Sequence, residues 1–441
     1  PLYNNLKTKG NYIYGSNFNF RAGSADITVE AEIRNESGSD ADITLEVNVV
    51  DGDGKLAASF SKTQKVAAAT DVGAKFQTVV PDTAYDNAGN GVETGKVDSS
   101  TVDVSYITVT QNVEGLHFWS DVSPYLYTVY TVLKQGDQII DLSETTTGFR
   151  EVTYDKDKGL QINGVSTYLT GYAQRSTNEW AAIGVANDWL SDLDMQMVKE
   201  SNANLIRWMH IAPNPVDIRA GDKYGVVSVC PAGDKEGDQT GRAWDQRLET
   251  MRDVMIYFRN SPSILFWEAG NNEISAPHMK QMTDIRKELD PSGDRFMGCR
   301  TINSVEQIKE AEWVGTMIYR HDAAAYASME ATGNYIPMIE TEYHRNESPR
   351  RMWDDYTPPD YDYVNKWLGD GGTKTDGYDI WDQTQEDFAL TMAADYSYFY
   401  DNRVGGTGKN YYSGAALMVW SDSNMHVRNC GVENCRTSGR V

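Results

Sequence analysis

The chain of 441 residues reads as two folded units in series, a β-sandwich followed by a (β/α)8 barrel. Three observations predict this. Up to about residue 150 the apolar residues alternate with period two between polar turns, and no helical stretch interrupts them. After Gly148 the rhythm changes to strand, helix, strand, helix. About eight strand-led units then fit into roughly 290 residues, the usual size of a barrel. The boundaries expected are 1–18 for a linker or remnant of a preceding domain, 19–150 for the sandwich and 151–441 for the barrel.

In the first unit, Ala25–Ile33 puts Ile27, Val29, Ala31 and Ile33 on one face, and Ile43–Val49 repeats the pattern with Ile43, Leu45, Val47 and Val49. The turn Asp51-Gly-Asp-Gly54 follows, and further strands are expected at Phe76–Val80, Thr101–Thr110 and Leu126–Leu133. In the second unit the expected strands are Tyr168–Ala173, Leu205–Ile211, Val226–Cys230, Ile264–Trp267, Phe296–Cys299, Gly315–Tyr319, Pro337–Ile339 and Ala415–Trp420. Helices are expected over Asn187–Ser201, up to Gly225, over Trp244–Phe258 and over Glu386–Phe399. A doubly wound sheet is the competing fold, but no Gly-rich phosphate loop follows the first strand.

Composition narrows the function classes. Forty Lys and Arg against 64 Asp and Glu give a net charge of −24. Such a field disfavours nucleic acid and anionic membranes as partners. No apolar run approaches the ~18 residues of a membrane span. The four cysteines are too few for a disulfide framework: Cys230 and Cys299 read as buried thiols, and Cys430 and Cys435 as a local disulfide or two free thiols. Pro1 with no initiator Met or signal pattern reads as a mature or truncated product. The acidity and low cysteine content fit a bacterial cytoplasm or periplasm, and a homo-oligomer stays open.

Two strand ends carry acids. Ser263–Glu273 runs an apolar strand into Glu-Ala-Gly-Asn-Asn-Glu, and Pro337–His344 contains Glu340 and Glu342. These are the fourth and seventh barrel strands, and barrel chemistry sits where strands end. Facing carboxylates suit glycoside cleavage, in which one acid protonates the leaving oxygen and the other attacks or activates water. A lone Glu at a strand end is more often a solvated or ion-paired residue, so position by itself does not decide.

The motifs carry the argument further. Trp119–Tyr127 (Trp-Ser-Asp-Val-Ser-Pro-Tyr-Leu-Tyr), Gly148-Phe-Arg150, Leu160–Gly164, Asn204–His210 with Pro213 and Asn214, Asp222–Gly225, Asn260–Glu273 and Pro337–Tyr343 together resemble glycoside hydrolase family 2, the β-galactosidases, β-glucuronidases and β-mannosidases. The resemblance spans roughly residue 20 to the C-terminus. It implies an immunoglobulin-like sandwich before the barrel, a carbohydrate substrate and a retaining β-glycosidase without cofactor. It further implies Glu273 as acid/base, with Glu268 its rival, and Glu342 as nucleophile. Glu340 is the rival there, sharing a face with Glu342 if the strand is regular.

Supporting roles follow from the same likeness. Asn272 would meet the sugar 2-hydroxyl and Tyr319 the nucleophile, while Trp420 would underlie the sugar's apolar face. Arg207 would hold the nucleophile or form a core ion pair. His210 would touch sugar hydroxyls or be a satisfied strand-end histidine. Departures exist: no jelly-roll domain precedes the sandwich, no closing helix is evident after strand eight, and Val229–Gly237 does not match the family's metal-binding segment, so no metal is expected. Thr341-Glu342-Tyr343 leans towards β-galactosidase, the leading specificity. Asn434-Cys-Arg436 is similar to the Asn-x-Lys clamp of glucuronidases, making β-glucuronidase or another acidic-sugar glycosidase the second reading. A non-catalytic carbohydrate-binding relative is the third.

Overall fold

A computed structural model describes residues 9–70, 83–85, 91–93, 103–175, 187–233, 237–302, 304–316, 323–343, 385–418 and 420. Two antiparallel sheets open the chain. One has the order β1-β2-β7, formed by Asn11–Asn19, Ser24–Ile33 and Ser105–Glu114. The other has β4-β3-β8-β9, formed by Leu56–Val66, Ala41–Val50, Tyr127–Gln135 and Gln138–Thr147. A short hairpin, β5 (Thr83–Tyr85) with β6 (Gly91–Glu93), lies between them in sequence.

The alternation read from sequence is what packs the sheets. Ile27, Val29 and Ala31 of β2 and Leu45, Val47 and Val49 of β3 are fully buried in one shared core. Each Ile, Leu or Val so buried contributes about 1.5–3 kcal/mol relative to exposure. Asn11–Asn19, at the end of the stretch expected as a linker or domain remnant, forms a strand. This segment pairs antiparallel with β2, Asn11 opposite Ala31, and buries Tyr12 and Ile13. The expected strand Phe76–Val80 lies outside the described residues.

A small sheet, β10 (Val152–Asp155), β11 (Gly159–Ile162) and β12 (Val165–Ser166), leads into the barrel. The barrel closes from β13 to β20: Leu169–Gln174, Leu205–Trp208, Val227–Pro231, Ile264–Glu268, Phe296–Cys299, Trp313–Thr316, Met338–Tyr343 and Gly414–Met418. The order is sequential and every pairing is parallel. The helices are α1 (Asp188–Glu200), α2 (Pro215–Tyr224), α3 (Arg242–Phe258), α4 (Ala276–Leu289), α5 (Val305–Glu310), α6 (Ala323–Thr332) and α7 (Gln385–Asp401).

Helices α4 to α6 escaped the sequence reading. In α4 only Met279, Met282, Thr283 and Leu289 are buried, a stripe too thin to stand out among polar residues. The sixth strand was expected at Gly315–Tyr319 and begins two residues earlier, at Trp313; Tyr319 lies outside the described residues.

The N-terminal end of the barrel is sealed. Val152, Leu160, Ile162 and Trp119 pack with Leu169, Leu205, Val227 and Trp313, the first residues of their strands. Trp119 donates its indole N–H to the Asp222 carbonyl at 2.8 Å. Buried Arg150 donates to the carbonyls of Pro262, Gly293 and Ile264 at 2.8, 3.1 and 2.9 Å. Helix α2 ends at Gly225, whose φ of +73° and contact with the Asp121 carbonyl admit no side chain. With this end closed by the sandwich side, the opposite rim is the one left for chemistry.

Candidate active site

Four strand ends meet in one buried charge cluster at the C-terminal rim. Arg207 on β14 lies between Leu205, whose side chain fills the lumen, and Trp208, which packs outward, so its guanidinium enters the barrel. It is fully buried. Its Nε and Nη2 donate to Glu268 Oε2 and Oε1 at 2.7 and 2.6 Å, a two-point fork with the carboxylate that ends β16. Nη2 also reaches Asn271 Oδ1 at 2.9 Å, and Nη1 reaches Glu342 Oε1 at 2.6 Å. Arg207 is thus ion-paired in the core with Glu268 and also in contact with Glu342.

Glu342 is 2% exposed. Besides Arg207 it has Arg300 Nη1 at 3.0 Å and His210 Nε2 at 3.4 Å, all on the same oxygen Oε1. Burial alone would push this carboxyl up. Arg300, His210 and Arg207 outweigh that and hold it well below the usual carboxylate range. The side chain is thus an ionised, water-excluded carboxylate near neutral pH. His210 faces this carboxylate directly.

Glu340 and Glu342 do not share a face. The pairing of β19 with β20 shifts register between Glu340 and Tyr343, a bulge that turns the end of the strand. Glu340 accepts a hydrogen bond from Thr316 Oγ1 at 2.7 Å and lies among the tyrosines Tyr168, Tyr343 and Tyr412 of the layer between strands and helices. The expectation from a regular period-two strand fails because the register shift falls between Glu340 and Tyr343, the stretch that contains Glu342.

The loop after β16 carries the other expected residues. Asn271 is 2% exposed and held by Arg207, Asn272 is half-buried, and Glu273 is exposed at the tip. Asn272 Oδ1 accepts from Arg300 Nη2 at 2.5 Å. Glu268, the rival to Glu273, is fully buried and committed to Arg207, a position with no access for a leaving group.

Trp420 is not brought onto this cluster. It is 1% exposed, stacks at a tilt on Tyr172 with ring centroids 4.8 Å apart, and points its indole N–H at Asp194 of α1, 3.3 Å away. It thus belongs to the barrel–helix layer, which corrects its expected place as a sugar platform. Tyr319, Cys430, Asn434, Cys435 and Arg436 lie outside the described residues. Cys230 and Cys299 are buried free thiols.

Arg300 went unnoticed in the sequence. Its one local signal is a charge directly after the apolar strand Phe296–Cys299.

A sandwich leading into a closed (β/α)8 barrel with buried carboxylates at the C-terminal rim is the architecture of the carboxylate glycosidases. The family model described as glycosyl hydrolases family 2 matches residues 13–150, and that family's TIM barrel domain matches 154–391. The chain belongs to glycosyl hydrolase family 2. A β-glucuronidase of Formosa agariphila is 33% identical across 100% of this chain, which aligns to 39% of that protein. A solved β-glucuronidase of glycoside hydrolase family 2 is 30% identical with a TM-score of 0.75, over 99% of this chain and 40% of the other. The Bacteroides ovatus β-galactosidase BoGH2A is 28% identical over 35% of this chain and 19% of its own length. The chain spans about two fifths of the length of the first two relatives.

Proposed function

We propose that this chain carries the catalytic core of a retaining β-glycosidase that acts on β-glucuronides. The observation that carries the proposal is Glu342, a buried carboxylate kept ionised in the barrel lumen by Arg207, Arg300 and His210. In the first step Glu342 attacks the anomeric carbon, the glycosidic C–O bond breaks and protonated Glu273 gives its proton to the departing oxygen. In the second, water attacks the same carbon, Glu273 takes the water's proton and the Glu342 ester bond breaks. Two inversions leave the sugar with its β configuration. The exposure of Glu273 at a loop tip suits a group that meets a leaving oxygen arriving from solvent. Asn272 sits beside it to engage the sugar's 2-position.

The choice of glucuronide over galactoside rests on the likeness along the whole chain to a protein named β-glucuronidase. The β-galactosidase relative aligns with about a third of the chain, which keeps β-galactoside hydrolysis as the second reading. Both readings are separated by offering 4-nitrophenyl β-glucuronide, β-galactoside and β-mannoside in parallel. Fastest release from the glucuronide is expected, with Glu342→Gln inactive and Glu342→Gly reactivated by azide. Preferential cleavage of the galactoside would refute the specificity. Sugar binding without cleavage of any of the three would point to a non-catalytic module.

A further inference from the structure

Arg300 stands one residue beyond β17, between the strand that carries Glu342 and the loop that carries Glu273. It is 5% exposed. The same strand end grips that loop three more times. The Arg300 amide donates to the Gly270 carbonyl at 3.1 Å, and the Cys299 thiol lies 2.8 Å from the Asn272 carbonyl and 3.2 Å from that of Gly270. Burial pushes the Cys299 thiol up to about 12, so its S–H is present to donate.

We propose that Arg300 is a positioning residue of the glycosidase site, tying the Glu342 carboxylate to Asn272 so that one side chain sets both the charge of the nucleophile and the direction of the Asn272 amide. The proposal rests on the glycosidase reading above. Its first leg is charge balance. Arg207 already forks Glu268, and that pair sums to zero charge, so Arg300 supplies the cation that balances Glu342. The charged and titratable side chains on the Glu342 carboxylate among the described residues are Arg207 and His210 from the end of β14 and Arg300 from the end of β17, while Glu340 of its own strand turns to the strand–helix layer. Glu268 of β16 lies behind Arg207. Glu340 is placed to accept the Glu342 backbone N–H at 3.4 Å. Among the individual effects that oppose burial at Glu342, the Coulombic attraction of Arg300 is the largest, and His210 and Arg207 add theirs.

The second leg is amide direction. A guanidinium has only donors, so the Asn272 group facing it must be the amide oxygen. The NH2 group is then turned from Arg300 and is the part of the amide left to meet the sugar's 2-oxygen. A contact there strengthens in the transition state. A lysine could balance the charge but, as a point charge on a flexible stem, cannot bracket both partners.

The test uses Arg300→Met, Arg300→Gln and Arg300→Lys in the full chain. The readouts are the 13C titration of the Glu342 carboxyl, assigned against Glu342→Gln, and kinetics on 4-nitrophenyl β-glucuronide and its 2-deoxy analogue. In the Met variant the titration midpoint and the acidic limb of kcat/KM should rise together by about one pH unit or more. In the same variant kcat should fall roughly 100-fold with KM changed far less, and preference for the 2-hydroxy substrate should shrink about tenfold. Lysine should restore the midpoint and not the preference. The Gln variant carries the same expectations should the Met variant fail to fold. An unmoved midpoint in a folded neutral variant, or an unchanged 2-hydroxy preference, overturns the proposal. Wild-type inactivity on every glycoside would sink the glycosidase reading instead, while the carboxyl titration would still report on Arg300.

Discussion

Replacing Arg207 by Met should destabilise the barrel far more than replacing Arg207 and Glu268 together. The guanidinium is fully buried and satisfies two oxygens of Glu268, one of Glu342 and the Asn271 amide oxygen. Removing it leaves the Glu268 carboxylate buried without its cation. Breaking a buried pair from one side costs about 3–5 kcal/mol, whereas exchanging both partners for apolar side chains of similar volume is often neutral. With an unfolding entropy near 2.1 cal/mol/K per residue over ~290 residues, that loss lowers Tm by roughly 5–8 °C.

The assay is a thermal and urea double-mutant cycle of wild type, Arg207→Met, Glu268→Leu and the double variant at pH 7.5. A coupling of about 2 kcal/mol or more is expected, the double variant lying closer to wild type than either single one. Glu342 keeps Arg300 and His210 in all four proteins, so the cycle isolates the Arg207–Glu268 fork. Additive effects would refute the reasoning, because they would mean that neither charge depends on the other for its burial.

Two further predictions concern the seam between sandwich and barrel. Asp222 is buried there, accepts from Ser261 Oγ and the Ser263 amide, and has its carboxyl raised by burial to about 6. A folded value above the unfolded one contributes stability that is complete below about pH 4 and lost as pH rises through about 6, a swing of about 3 kcal/mol. Asp222→Asn should flatten Tm between pH 4 and 6.5 relative to wild type, and an unchanged slope would show that Asp222 does not titrate in this window. Gly225→Ala places a Cβ against the Asp121 carbonyl at a φ of +73° and should cost about 1–3 kcal/mol, read as a lowered urea midpoint. A neutral result would mean that the α2 terminus relaxes freely.

The legibility of this site followed sequence distance. Glu268 and Glu342 could be picked out because acids at strand ends in a barrel have one destination, whereas Arg207, His210 and the preference for Glu342 over Glu340 came from the likeness to the family's motifs. Holding the nucleophile and forming a core ion pair could only be posed as alternatives for Arg207, since the geometry that brings it to both Glu268 and Glu342 arises from barrel closure. Arg300 was illegible for a related reason. Its contacts are made to residues 28 and 42 positions away, through a loop whose path no local pattern dictates. Glu340 was assigned a face by perfect alternation, and a single bulge reversed it. Trp420 was given its role by the family likeness, but the contact with Asp194 binds it to helix α1.

The motifs that made the chain recognisable divide by physics into two sets at opposite ends of one barrel. Trp119, Gly148-Phe-Arg150 and Asp222–Gly225 lie at the seam and satisfy backbone carbonyls and seal the lumen. Arg207, Asn271–Glu273 and Glu342 lie at the rim and concentrate charge. A buried cluster of this kind adds little net stability over an apolar filling, since desolvation offsets most of the Coulombic gain. Its presence is explained by what it does to a carboxylate, which is to keep it ionised and fixed in direction where water would otherwise compete. A rim selected for chemistry then requires stability from elsewhere, and the apolar floor with its hydrogen-bonded arginine and tryptophan is placed to supply it.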